Sequence, residues 1–208
     1  MNLKAKSILL RGVVAALLAS SVFAASASAA PAWKFNGTSL TGSETIVGAA
    51  LDSSLTVPGL TTKCANFLYK VKIENVSGTG KGSVNELPLY DCVTDSPEVC
   101  TVKTITPETF PWPVLLQTFS STHYIKIEGV KVSIVYDGEE CILGGMTVKV
   151  TGTAGGRIDN TAETATFDSS SFTATSTELK ALNQKIQWQG VFPTEAFEWK
   201  REQALTVS

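Results

Sequence analysis

The stretch from Ala65 to Ile73 sets the terms for any fold of this chain. Phe67, Tyr69, Val71 and Ile73 take alternate positions, and Asn66, Lys70, Lys72 and Glu74 fall between them. A period of two among aromatic and β-branched residues is a strand with one face buried and one wet. Ser77-Gly78-Thr79-Gly80-Lys81-Gly82 then supplies a turn, and Ser83 to Cys92 returns antiparallel.

A second long strand is predicted from Thr122 to Tyr136. Ile125 and Ile127 share one face, and after Gly129 the apolar set moves to Val130, Val132, Ile134 and Tyr136. A change of phase by one residue at a glycine predicts a β-bulge. Asp137-Gly138 marks a tight turn. Cys141-Ile142-Leu143 should begin the next strand, with Met146, Val148 and Val150 alternating before a break at Gly155-Gly156. Shorter strands are expected at Thr45 to Leu51, Ser54 to Val57, Thr101 to Thr106, Val114 to Ser120, Thr164 to Phe167 and Phe172 to Thr175. One segment, 177–187, dissents: Leu179, Leu182 and Ile186 follow helical spacing, which predicts one short helix. About ten strands without βαβ alternation give an all-β fold, a single antiparallel β-sandwich or barrel-like domain.

The amino-terminal residues read as an address. Lys4, Lys6 and Arg11 precede an apolar run from Val13 to Ala25, and Ala27-Ser28-Ala29 follows as a small-residue cleavage site. This is the pattern of a secretory signal peptide over 1–29, too short in its apolar part to span a bilayer. Removing 29 of the 208 residues leaves 179, read as one β-domain over 30–208. Three positive charges go with the leader, so a formal charge of −2 becomes −5. The expected location is secreted, extracellular or at the cell envelope, with no membrane span after the leader. Charged residues are only 17% of the chain, below the average of about 25% for soluble domains. In the 179 residues 40 are Ser or Thr, which suits wet strand faces. The balance of charge excludes a basic nucleic-acid binder, and the 43% hydrophobic content excludes a disordered chain.

Four cysteines in an exported chain predict two disulfides. Cys64–Cys92 with Cys100–Cys141 is preferred, because each bond joins neighbouring segments of a meander. The rival pairs Cys92 with Cys100 and Cys64 with Cys141. No zinc spacing is present, and His123 is the sole histidine.

The chemistry is sparse, which points away from an enzyme. His123 lies near Ser120 and Ser121, but no G-x-S-x-G elbow accompanies it. Asp137, Glu139 and Glu140 offer either a carboxylate pair for glycoside hydrolysis or a decorated turn. Asp159, Asn160 and Asp168 carry the same ambiguity without calcium-loop spacing. No cofactor or metal motif is found. Among Trp33, Trp112, Trp188 and Trp199, Trp112 is the candidate ligand-binding residue, held between prolines in Phe110-Pro111-Trp112-Pro113. Trp188, before Gly190 and Phe192, reads as core. Asn36-Gly37-Thr38 and Asn75-Val76-Ser77 match the glycosylation acceptor pattern.

The order of leader, strand at Cys64, Gly/Ser/Thr turn, Cys92 and Cys100, Trp112-Pro113, Cys141 and Trp188-Gln189-Gly190 resembles uncharacterised small secreted β-proteins of soil actinobacteria. That resemblance implies a compact extracellular β-sandwich with an undefined ligand, and it carries over no catalytic residue. The expectation is a disulfide-stabilised surface- or ligand-binding protein whose partner is a glycan or a cell-surface protein. The alternatives are a secreted hydrolase using a carboxylate pair or His123, and a structural or inhibitory protein presenting the 93–99 loop. The oligomeric state is left open.

Overall fold

A computed structural model describes residues 30–168, 178–193 and 205–208. The leader, the strand expected at Phe172 to Thr175 and Trp199 lie outside the described residues. What is described is all-β, with no helix: β1 (Trp33–Phe35), β2 (Thr38–Ser39), β3 (Ser43–Val57), β4 (Leu60–Val76), β5 (Thr79–Glu86), β6 (Leu89–Thr94), β7 (Thr101–Pro107), β8 (Trp112–Phe119), β9 (Thr122–Asp137), β10 (Thr147–Asp159), β11 (Thr164–Asp168), β12 (Glu178–Ala181), β13 (Gln184–Pro193) and β14 (Leu205–Val207).

Four two-residue turns build the long hairpins. Pro58-Gly59 joins β3 to β4, with Gly59 at φ 86°, where proline presets the first central residue and glycine takes the left-handed second. Ser77-Gly78, Ser120-Ser121 and Leu182-Asn183 have both central residues at positive φ, the conformation whose twist matches paired strands.

Eleven strands make one antiparallel sheet, and it closes on itself. β3, β4, β5, β8 and β9 follow one another; β9 also pairs with β10, β10 with β11 and β12, and both of these with β13, which returns to β3. The result is the barrel-like form of the expected fold. The remaining strands form a small sheet, β14-β1-β2. It lies over one end, because Trp33 and Leu205 line the barrel interior together with Ile73 and Val84.

The interior is filled by the inward half of each alternation. In β4, Phe67, Tyr69 and Ile73 of the predicted set are buried and Val71 is half-buried; in β9, Ile127, Val130, Val132, Ile134 and Tyr136 are buried. The phase change at Gly129 is a bulge: Val130 faces Gly152 and Ile127 faces Ala154, so two residues of β9 oppose one of β10. Cys64 is joined to Cys92 across β4 and β6, and Cys100 to Cys141.

Three local expectations need correction. Residues 178–187 are a hairpin and not a helix. Leu179 and Ile186 are cross-strand partners, both buried, while Leu182 stands exposed in the turn. The tertiary pairing of β12 with β10 and of β13 with β3 outweighs helix propensity there. Cys141-Ile142-Leu143 lies in successive turns before β10, with Ile142 among the most exposed apolar residues. Gly155-Gly156 does not break β10; a side chain at Gly156 would put its Cβ 2.9 Å from the Phe167 ring, so glycine lets β11 close over the strand.

Candidate functional site

Trp112, the candidate ligand-binding residue, is inside. It is 1% exposed, its Nε1 donates to the Glu108 carbonyl at 2.8 Å, and its ring packs on Phe110 with centroids 4.6 Å apart. A Trp at the first position of a strand whose alternate residues Val114 and Leu116 are buried shares their inward face. It is a lining residue of the interior, unavailable to a large ligand outside.

The hydrolase elements are dispersed. His123 bonds through Nδ1 to the Thr118 hydroxyl at 3.0 Å, across the β8–β9 pairing. Partial burial lowers its pKa, which favours the neutral ring. Asp137 accepts from the Gly138 amide at 3.0 Å and lies 3.6 Å from Lys103, consistent with its turn role. Asp159 accepts from the amides of Thr161 and Ala162, and these bonds hold its carboxyl below its ordinary pKa. Asn160 bonds both backbone groups of Val207 and so ties β14 to the barrel. Among the described residues no group of three His, Cys, Asp or Glu side chains could hold a metal ion.

Asn75, in one of the two glycosylation patterns, is occupied. Its Nδ2 donates to the carbonyls of Trp33 and Leu40 and to Ser39 Oγ, and its Oδ1 accepts from the Trp33 amide. The side chain clamps β1 to β4.

Among the described residues, one outer groove was missed by sequence reasoning. Leu51 pairs with Asn66 and Asn66 with Tyr90; one row further, Ser53 pairs with Cys64 and Cys64 with Cys92. Asp52 and Asp91 therefore flank Ala65 from its two sides. Both aspartates adopt left-handed backbone, at φ 57° and 51°. The strands change phase here, from buried Ile46 and Ala50 to buried Ser53 and Val57 in β3, and from Cys64 to Phe67 in β4. Asp is among the few side-chain types that visit this conformation readily. The kink leaves a depression of about 380 Å³ over the small floor of Ala65 and Cys64, walled by Asp52, Ser54, Lys63, Asp91 and Val93. Asn66 Nδ2 donates to Asp91 at 3.3 Å, which fixes one wall. Tyr90, 49% exposed, stands beside it, and Leu51 and Val191 continue the same row as exposed apolar residues. The signal for the groove was the switch from even Thr62 and Cys64 to odd Phe67 and Tyr69.

The interior itself holds two apolar cavities, of about 80 and 40 Å³, which share Leu87, Trp112 and Trp188. No family model, no curated protein and no solved structure matches the chain.

Proposed function

We propose that the protein is an exported, non-catalytic binding domain and that the groove over Ala65 takes a glycan. One observation carries this reading: two carboxylates, an ammonium and a hydroxyl line one depression, with the Tyr90 ring and the Asn66 carboxamide in the row of residues next to it. Carboxylates and carboxamides accept from and donate to sugar hydroxyls, and an exposed ring stacks on the apolar face of a pyranose. The two disulfides and the leader-like residues 1–29 support an oxidising, extracellular setting.

The test is a glycan array followed by calorimetry with the purified protein. Tyr90→Ala and Asp52→Asn should each lower affinity at least tenfold, with unfolding midpoints close to that of the parent. An array without a hit, or binding indifferent to both substitutions, defeats the reading. Asp52 and Asp91 sit two strand spacings apart, about 10 Å at the backbone, so release of reducing ends from a bound glycan would assign them to hydrolysis instead.

A further inference from the structure

We propose that the barrel interior is a second binding site, for a small uncharged hydrocarbon (one ring or a chain of a few carbons), entered at the seam between β6 and β7. The larger cavity, about 80 Å³, lies among Tyr69, Ala165, Phe167, Trp188 and Phe192. The smaller, about 40 Å³, runs from there under Leu89 and Ile105. No charged side chain lines either of them.

Three polar groups of the lining are already engaged. The indole N–H of Trp112 goes to Glu108 and that of Trp33 to Lys81, while the Thr62 hydroxyl bonds Tyr136 Oη at 2.8 Å. A guest therefore meets mostly hydrocarbon, and a charged or strongly hydrogen-bonding one would lose most of its water contacts without replacement. Nor is the interior loosely packed. Rings and methyls press the wall where glycines stand: a Cβ would come 2.2 Å from Tyr69 at Gly48 and 2.3 Å from Leu116 at Gly80. The cavities sit within a shell packed to contact.

The seam supplies an entry. β6 pairs only with β4 and β7 only with β9, whereas on the far side the same wall is closed by β5 pairing with β8. Between β6 and β7 the wall is made by side chains, the half-buried Leu89 and Ile105 among them. These can part without breaking a ladder hydrogen bond.

The probe is benzene, followed by thermal unfolding and by the emission of Trp112 and Trp188. Near aqueous saturation it should raise the midpoint by about 3 °C, as expected for a ligand at roughly tenfold over its Kd. Phenol should raise it less. Ala165→Ile places three more carbons beside the larger cavity and should abolish the shift. Leu87→Ala, which borders both cavities, should tighten benzene binding several-fold and keeps the test decisive if the first variant does not fold. Ile105→Trp should slow association at least tenfold. No shift in the parent, a shift that survives Ala165→Ile, or unaltered affinity in Leu87→Ala overturns the site; an unaltered association rate in Ile105→Trp overturns the seam. Tyr90→Ala should leave all of these readings unchanged, which separates this site from the groove.

Discussion

The hydrogen bond between Thr62 and Tyr136 offers a quantitative test of how the barrel is held together. Thr62 is 1% exposed and Tyr136 0%, and their hydroxyls meet at 2.8 Å across a sequence separation of 74. Replacing Thr62 by the near-isosteric Val keeps the shape and leaves a buried phenol without its partner. Tyr136→Phe strands the threonine hydroxyl in the same way. Each single change should cost about 1–3 kcal/mol, the desolvation penalty of an unsatisfied buried hydroxyl. The double variant removes both polar groups and should cost no more than either single change, giving a coupling energy of about 1–3 kcal/mol. Urea titration with the disulfides intact, followed by tryptophan emission, reads the difference directly. With a slope of about 2 kcal/mol/M, a single variant at 2 kcal/mol moves the midpoint by about 1 M. If the two single costs simply add in the double variant, the hydroxyls do not satisfy one another and the packing assigned to this end of the barrel is wrong.

Three further outcomes are expected. Burial pushes the Tyr69 pKa up to about 12, against about 10 in the unfolded chain. The folded state therefore holds that proton more tightly, and stability should fall by about 2 kcal/mol between pH 10 and 12. Tyr69→Phe should lose that slope relative to the parent in alkaline urea titrations, and a parallel pH profile would contradict the burial. Gly152 sits at φ 136°, where an added Cβ would come 2.1 Å from the Glu178 carbonyl, whereas Gly37, at φ 76°, has open space. Gly152→Ala should thus cost about 3 kcal/mol or more and Gly37→Ala only about 1, by thermal unfolding; equal costs would refute the close approach of β10 and β12. Asn75→Ala removes the bonds to Trp33 and Leu40 and should speed amide exchange across β1 and β2 at least tenfold, while β9 and β10 stay protected; uniform acceleration would show that the clamp is not local.

Sequence periodicity was informative wherever one strand face alone decides burial. Phe67 to Ile73 and the shift at Gly129 are such cases, since an alternation and its interruption are local signals. The 177–187 segment misleads because Leu179 and Ile186 are opposite each other in a hairpin. Their spacing of seven is common to two helical turns and to two strands folded about Leu182-Asn183. Gly155-Gly156 misleads because the reason for glycine is a ring arriving from β11, which no nearby residue announces. Closure of the barrel rests on β10 meeting both β9 and β11, and the groove on Asp52, Ala65 and Asp91 coming from three separate segments. Neither is visible until the strands are in register. The chemistry of the groove is likewise ordinary in the linear sequence and becomes a site only as a row across the sheet.

The small sheet over the barrel end has a consequence for folding kinetics. Ala32 and Ser208 exchange backbone hydrogen bonds of 2.9 and 3.2 Å, and Trp33 pairs with Val207. These are contacts of nearly the greatest separation the described residues allow, and such contacts are slow to form. Once β3 to β13 have closed, however, the two segments are already delivered to one pole, and the remaining loop entropy is small. Docking of Trp33 against Leu205 should therefore be a late step, resolvable as a separate phase in the burial of a single indole. A chain ending before β14 would keep its barrel yet leave that indole without its strand partner.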